Sequence, residues 1–206
     1  MNDHIQETQW VEAARKGDQN AFEQLLRLYE KRVFALTLRM CGNPEDAQEA
    51  AQETFLSVWQ GLPFFRRESS FSTWLYRLAS NACVDLLRRE GRQRANAGPS
   101  LDDEELHLDL PGTAIPGPQA AMEQKELRDQ IERGLQALSP EHREVLILRE
   151  LQQLSYDEIA EVLELDVGTV KSRINRGRKH LRNFLLQSGN FLLSPPSKER
   201  TKEGLQ

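Results

Sequence analysis

Apolar residues recur at intervals of three and four along most of the chain, and the runs they form are punctuated by glycine, proline and helix-capping residues. Trp10, Val11 and Ala14 begin the series in a short helix that ends near Gly17, and Asp18 is placed to cap the next one. There Phe22, Leu25, Leu26, Tyr29, Val33, Leu36 and Met40 form one stripe, which Gly42 and Pro44 end. Ala47, Ala51, Phe55 and Val58 give a third helix its inner face. After Gly61 and Pro63 a loop, LPFFRRESS, leads into a helix whose stripe is Leu75, Leu78, Ala79, Ala82 and Leu86. Helical spacing resumes from about Ala120, with Leu127, Ile131, Leu135 and Leu138. Ser139 then caps a helix that has Pro140 in its first position and carries Val145, Leu146, Leu148 and Leu151.

The most informative pattern is the stretch from Leu154 to Leu186. Ser155 and Glu158 have capping-box spacing, and Ile159, Ala160 and Leu163 share a face. A break at Glu164 to Asp166 follows, with Asp166 able to cap a second helix whose inner face is Val170, Ile174, Gly177 and Leu181. Thr169, Lys171, Ser172, Arg173, Asn175, Arg176 and Lys179 are left on its other sides. Six Lys or Arg and no acid lie between Gly168 and Arg182. This is a helix-turn-helix with a basic second helix, the form of a major-groove reader, although the same geometry occurs in bundles that bind no DNA.

Between Arg92 and about Gln119 the pattern stops. Four of the nine prolines fall here with three glycines, and Asp102 to Asp109 holds five acids and no Lys or Arg. Such a segment buries too little to offset its ordering entropy, so it reads as an extended linker. The expected fold class is therefore all-α, two small helical domains joined by a flexible Pro/acid-rich linker, with the helix-turn-helix in the second. Their expected bounds are 8–92 and 120–187, with the linker at 93–119 and a disordered tail at 188–206.

Composition changes this picture in three ways. The formal net charge of -5 is unlike that of a nucleic-acid binder, but local potential matters more than the sum, and basic residues concentrate at Arg88 to Arg94 and Lys171 to Arg182. No apolar run is long enough for a membrane span and the first residues are polar, so a cytoplasmic protein with no direct membrane insertion is expected. Cys41 and Cys83 read as small buried hydrophobes rather than a thiol sensor or zinc site, and the four scattered histidines form no catalytic pattern. No cofactor, metal or catalytic residue is expected, and the chain does not read as an enzyme.

Two further faces carry candidate chemistry. Asp46, Glu49, Gln52 and Glu53 form an outward acidic row with Trp59 nearby, either plain surface or a dock for a basic partner helix. Trp74, Arg77, Asn81, Asp85 and Arg88 lie three and four apart on one side of the fourth helix, behind a loop holding two aromatics and two arginines. Rings on which bases stack, beside cations that follow the backbone, suit single-stranded nucleic acid, whereas Trp74 taken singly fits a core position equally well.

With DAQEAAQETFLSVW, FSTWLYRLASNACVDLLRR, LSPEHREVLILRELQQLSYDEIA and VGTVKSRINRGRKHL in this order, the chain resembles a bacterial RNA polymerase sigma factor of the extracytoplasmic-function (ECF) type, over about residues 8 to 186. The resemblance implies that the helix carrying Asp46, Glu49, Gln52, Glu53, Phe55 and Trp59 docks on the coiled coil of the polymerase's largest subunit, the flap being a further contact. It implies that Phe64, Arg66, Ser69, Ser70, Phe71, Trp74, Arg77, Asn81 and Arg88 recognise and melt the minus-ten element. Lys171, Ser172, Arg173, Asn175 and Arg176 would read the minus-35 duplex, Lys179 would join that interface, and Thr169 and Arg178 would hold phosphates. The linker would thread the polymerase's channels, its acids imitating nucleic-acid phosphates, and a cognate anti-sigma factor, often membrane-bound, would hold the protein inactive. Primary sigma factors carry a second tryptophan where this chain has Leu75, so melting should be weaker and the promoter more stringent. A helix-turn-helix regulator acting without polymerase, and a helical adaptor that binds only protein, are the alternative readings.

Overall fold

Helix starts and stops follow the capping residues, and the computed structural model, which describes residues 2–97 and 118–188, consists there of helices joined by short turns and loops. The elements are α1 (Asn2–Arg15), α2 (Gln19–Cys41), α3 (Pro44–Gly61), a short 3-10 turn (Leu62–Phe64), α4 (Phe71–Ala97), α5 (Pro118–Gln136), α6 (Pro140–Leu146), α7 (Tyr156–Leu163) and α8 (Val167–Gln187). Most of the expected linker and all of the expected tail beyond Ser188 lie outside the described residues. α4 itself continues as helix to Ala97.

Asp18 accepts from the backbone N–H groups of Asn20 and Ala21, and Asn43 accepts from that of Asp46 with Pro44 in the first turn. The Ser155–Glu158 capping box is complete, and Asp166 accepts from the Thr169 N–H. Ser139 is a capping residue by position only: its hydroxyl meets His142 Nδ1 at 2.8 Å. α6 continues as a π-helical turn over Ile147–Leu151, and this rotates Leu151 outward. Leu151, expected in a stripe, is accordingly 42% exposed; Leu127, also expected in a stripe, is 39% exposed on α5.

In the first half, α1 to α4 pack around Leu25, Val33, Leu36, Val58, Leu75, Tyr76 and Ala79. In the second, α8 lies on α6 and α7 through Val170 and Ile174, both fully buried. The two halves are in contact, α4 against α7 and the end of α2 against α5 and α6, so their buried apolar residues form one continuous cluster.

Gly177 sets how close α8 comes to α6, because a Cβ there would stand 3.1 Å from Leu146 Cδ1 and 3.2 Å from the His142 carbonyl oxygen. Since backbone cannot yield as a flexible side chain can, Gly177→Val is expected to overpack this contact. It should lower stability by about 1–3 kcal/mol, read as a melting-temperature drop of roughly 2–4 °C per kcal/mol.

Candidate nucleic-acid interface

The basic helix presents its polar residues as a consequence of that seating. With Val170, Ile174 and Gly177 buried, Ser172, Asn175, Arg176 and Lys179 form an exposed row on the opposite side, and Lys171 stands exposed beside it. Several members are held by neighbours. The Lys171 ammonium lies 5.9 Å from the Tyr156 ring centroid, opposite α8 on α7, with the Arg149 guanidinium 4.9 Å from the same ring. Arg173 is half-buried, 3.7 Å from Glu141. Arg178 donates from Nε and Nη2 to Glu150 at 3.0 and 2.6 Å, a contact that raises its pKa further above the ordinary arginine value. The Thr169 hydroxyl donates to Asp166, whose carboxyl is held below its usual range by the Thr169 hydroxyl and N–H. Ser172 Oγ donates to the Thr169 carbonyl at 2.9 Å. Arg178 and Thr169 are thus engaged within the protein, and Tyr156, Glu141 and Glu150 are the partners that sequence patterning did not identify.

The loop before α4 builds a second surface. Phe64 is 80% exposed, whereas Phe65 and Phe71 are buried. Trp74 is half-buried and stacks on Phe65, with centroids 4.8 Å apart and planes at 26°. Phe71 meets Tyr29 edge-on at 5.5 Å, so it supports the surface from within the core. Ser70 caps α4, its hydroxyl accepting from the Thr73 N–H at 3.0 Å. Arg66, Asn81 and Arg88 are exposed, Arg77 and Ser69 half-exposed, and Asp85 lies 3.7 Å from Arg88.

Between this loop and α1 is a cavity of about 210 Å3 lined by Phe65, Arg67, Ser69, Ser70, Phe71 and, from α1, Glu7, Thr8 and Val11. Arg67 holds a left-handed backbone, φ 60°, and its guanidinium pairs with Glu12 at 2.8 Å. A non-glycine residue in this region costs of the order of 1–3 kcal/mol, and such positions persist where the surroundings over-determine them. Glu7 also accepts from the Tyr29 hydroxyl at 2.9 Å, and burial followed by this carboxylate pushes the Tyr29 pKa far up. Nothing in the α1 pattern signalled this role.

On α3, Glu49, Gln52 and Glu53 are exposed, and Asp46 is engaged in the Asn43 cap. Glu49 pairs with Arg89 at 3.2 Å. Phe55 and Trp59 are half-buried, Trp59 lies 4.8 Å from Phe22, and Leu56 beside them is 48% exposed. These residues, with Gln19, line a shallow apolar hollow of about 500 Å3 flanked by the acids. Leu56, Phe22 and Gln19 were not among the expected residues.

The two halves are joined by a polar seam. Arg143 Nη1 donates to the Met40 carbonyl at 2.9 Å, its Nε to Leu135 O at 3.0 Å, and its Nη2 to Gln136 O at 2.7 Å and Leu138 O at 3.3 Å. Gln136 Nε2 donates to Arg39 O at 2.9 Å, and Gln152 Nε2 to Arg32 O at 3.2 Å. Arg39, almost fully buried, pairs with Glu132 at 2.7 Å. Gly42, at φ +86°, leaves room for Gln136, whose Oε1 would stand 2.8 Å from a Cβ there. Burial pushes the Glu132 carboxyl up against the pull of Arg39, and its second oxygen meets no donor among the described residues. Burial likewise raises Glu144, against the Ser80 hydroxyl and Arg173. Cys83, fully buried, and half-buried Cys41 are neighbours at this seam, and the Cys41 sulfur together with burial pushes the Cys83 thiol far up.

These surfaces, a basic second helix of a helix-turn-helix and an aromatic loop with a side cavity, belong to an all-helical protein of two helical regions. Comparison with known proteins fits this class. Residues 25–93 match the family described as Sigma-70 region 2, and residues 128–181 the one described as Sigma-70, region 4. The chain is 36% identical over 175 residues to the RNA polymerase sigma-H factor of Pseudomonas aeruginosa, covering 84% of this chain and 91% of that one. It is 33% identical over 186 residues to the ECF RNA polymerase sigma factor SigW of Bacillus subtilis, covering 85% and 94%. Among solved structures, CnrH in complex with the cytosolic domain of CnrY is similar at a TM-score of 0.62 and 26% identity over 92% of this chain and 99% of that one. The sigma factor RpoE, solved with the anti-sigma factor NepR from Bartonella quintana, shares the fold at a TM-score of 0.66 and 22% identity over 80% and 96%. The chain belongs to the sigma-70 family of RNA polymerase sigma factors, in its ECF group. No helix among the described residues is long and apolar enough to cross a membrane.

Two expectations follow from the seam. Arg143→Ala removes hydrogen bonds from a charged donor worth about 1.5–3 kcal/mol each before the carbonyls rehydrate. Interdomain fluorescence energy transfer between labels on α3 and α8 should fall, while circular dichroism keeps the helix signal. Because Glu132 and Glu144 have pKa values raised by the packed state, that state binds more protons than the separated one. Packing is therefore favoured below the ordinary carboxylate range and weakened as pH rises through the raised values. The same transfer signal should decrease on titration upward from about pH 4.

Proposed function

We propose that the protein is the detachable promoter-reading subunit of a bacterial RNA polymerase, performs no covalent chemistry and works in the cytoplasm. The observation that carries this reading is that one chain holds three separate surfaces: the hollow on α3, the aromatic loop with its side cavity, and the outward row of α8. In this reading Glu49, Gln52, Glu53, Phe55 and Trp59, with Leu56, dock on a basic, apolar-edged helix of core polymerase, and Asp46 shapes the start of that surface. The exposed Phe64 ring receives a displaced base, and the cavity between loop and α1 holds one flipped base against Phe65, with Ser69 and Ser70 at its polar edge. Arg66, Arg77, Asn81 and Arg88 follow the backbone, while Phe71 and Trp74 keep the loop in shape.

On α8, Ser172, Asn175, Arg176 and Lys171 reach base edges in the major groove, with Arg173 released from Glu141 as DNA arrives. Thr169, Arg178 and Lys179 hold phosphates, and Arg178 exchanges Glu150 for a phosphate oxygen to do so. The two elements lie about 25 base pairs apart by their designations, or about 85 Å of duplex. A packed body of the 167 described residues is roughly 40 Å across, so the seam has to part for both to be held at once. Residues 98 to 117, at most about 70 Å when extended, supply the reach. The likeness to sigma factors solved with anti-sigma factors supports control by such a partner, which would hold the halves together. A regulator that binds DNA without polymerase leaves the α3 hollow unused.

Run-off transcription with purified core polymerase tests the reading. The protein should direct initiation from its promoter, and tight duplex binding without any initiation on genomic templates sinks it. Arg173→Ala with Arg176→Ala should cost roughly 5- to 150-fold in promoter discrimination per lost base contact and leave core binding intact. Phe64→Ala should slow initiation on duplex templates and spare templates already opened at the minus-ten element. Equal loss on both assigns Phe64 no part in melting.

A further inference from the structure

A cavity of about 570 Å3 lies where α5, α6 and α8 meet, away from the row of α8 assigned to DNA. Its floor is apolar, formed by Ile131, Leu135, Ile147, Leu151, Leu181 and Leu185, and arginines and glutamates stand at its edge. Beside this groove α5 comes close to α8, because a glycine faces that helix: a Cβ on Gly134 would stand 2.6 Å from Leu181 Cδ1. Leu151, rotated out by the π-helical turn, is 42% exposed at its margin. An apolar surface of this kind on a soluble domain marks a binding site.

The chain itself carries a candidate occupant. α8 walls the groove through Leu181 and Leu185, ends at Gln187, and has Ser188 as its C-cap, after which 18 residues follow, GNFLLSPPSKERTKEGLQ. Gly189 is next in the sequence, and glycine just past a helix C-cap is the residue that most readily lets a chain turn back over the last helical turns. Phe191, Leu192 and Leu193 come within five residues of Ser188, a reach of about 17 Å, and Pro195–Pro196 closes the apolar run. A chain reversal there would bring three large apolar side chains within reach of the Leu181–Leu185 wall.

We propose that Phe191–Leu193 occupies this groove in cis, as a built-in ligand that any helix arriving from a partner has to displace. The short connection holds the segment at a millimolar effective concentration, so weak intrinsic affinity suffices to fill the groove. Three side chains cover only part of the floor, so a longer amphipathic helix outcompetes them. The tail then sets a threshold that a partner on this face must exceed. Displacement by core polymerase rests on the sigma-factor reading above, while occupancy by the tail does not.

The test uses the full chain with benzoylphenylalanine in place of Leu192, irradiated at micromolar concentration, with crosslinks mapped by mass spectrometry. Crosslinks within the monomer to Leu151 or to Leu181–Leu185 are expected, and Leu151→Glu, at an exposed position, should abolish them without lowering the melting temperature. Crosslinks only elsewhere, or none, overturn the proposal. Groove crosslinks found only in a dimer give the site to a second copy and overturn it equally. In a second arm, the full chain with Phe191→Ser, Leu192→Ser and Leu193→Ser should bind core polymerase about three- to tenfold more tightly than the parent. Equal or weaker binding removes the competitive role, whereas failure of both chains to bind core strikes the sigma-factor reading and leaves the crosslinks to judge the tail.

Discussion

The last carbonyls of a helix have no intrahelical partner, and in this protein the C-termini of α2 and α5 meet the same solution. One guanidinium, Arg143 on α6, satisfies free carbonyls at the ends of both helices, donating to Met40 on one side and to Leu135, Gln136 and Leu138 on the other. A cation at two helix C-termini is also where the helix dipoles favour it. Gln136 completes the arrangement through the Arg39 carbonyl, and Gly42 leaves the space that its amide needs. How the first half sits on the second depends on this joint. Polar groups of this kind can exchange protein partners for water, so this joint costs less to part than an apolar contact of equal area. The packing of α4 on α7 adds the apolar share of the interface.

The same logic recurs on the DNA-facing side. Cations are held by neighbouring carboxylates, Arg173 by Glu141 and Arg178 by Glu150, and the Asp166 cap holds the Thr169 hydroxyl. Exposed pairs of this sort stabilise the fold by at most about 1 kcal/mol. In the proposed reading a phosphate would replace each carboxylate with little loss, and the pairs would act as local competitors against weak, nonspecific binding. An acidic chain with its basic residues gathered on one helix and restrained there suits a DNA reader that acts as part of a larger assembly.

Much of this was legible in the chain. Asp18, Ser155, Glu158 and Asp166 announced helix starts, and the four-three-four spacing of Val170, Ile174, Gly177 and Leu181 named the buried face of α8, and hence its outward row. Both signals are local, set by backbone geometry within one or two turns. Where patterning went astray, a tertiary reason intervened. Leu127 and Leu151 obey helical spacing yet are left in solvent, Leu151 at the margin of a groove where a π-helical turn shifts the register. Phe71 and Trp74 look alike beside Phe64 and Phe65, yet stacking against Phe65 and Tyr29 draws them inward and leaves Phe64 in solvent.

The sequence by itself determined which segments are helical, which face of each is apolar and which helix gathers the exposed basic row, because each of these is decided by residues a few positions apart. The tertiary structure alone decided that Glu7 and Thr8 share a cavity with Ser69 and Ser70, that Cys41 meets Cys83, and that Arg39 is buried on Glu132. It also decided that one arginine joins two domains 103 residues apart in the chain at Met40 and Arg143. Those contacts depend on how helix ends and faces meet across long separations, and a periodicity of 3.6 residues holds no information about which helix a given face will meet.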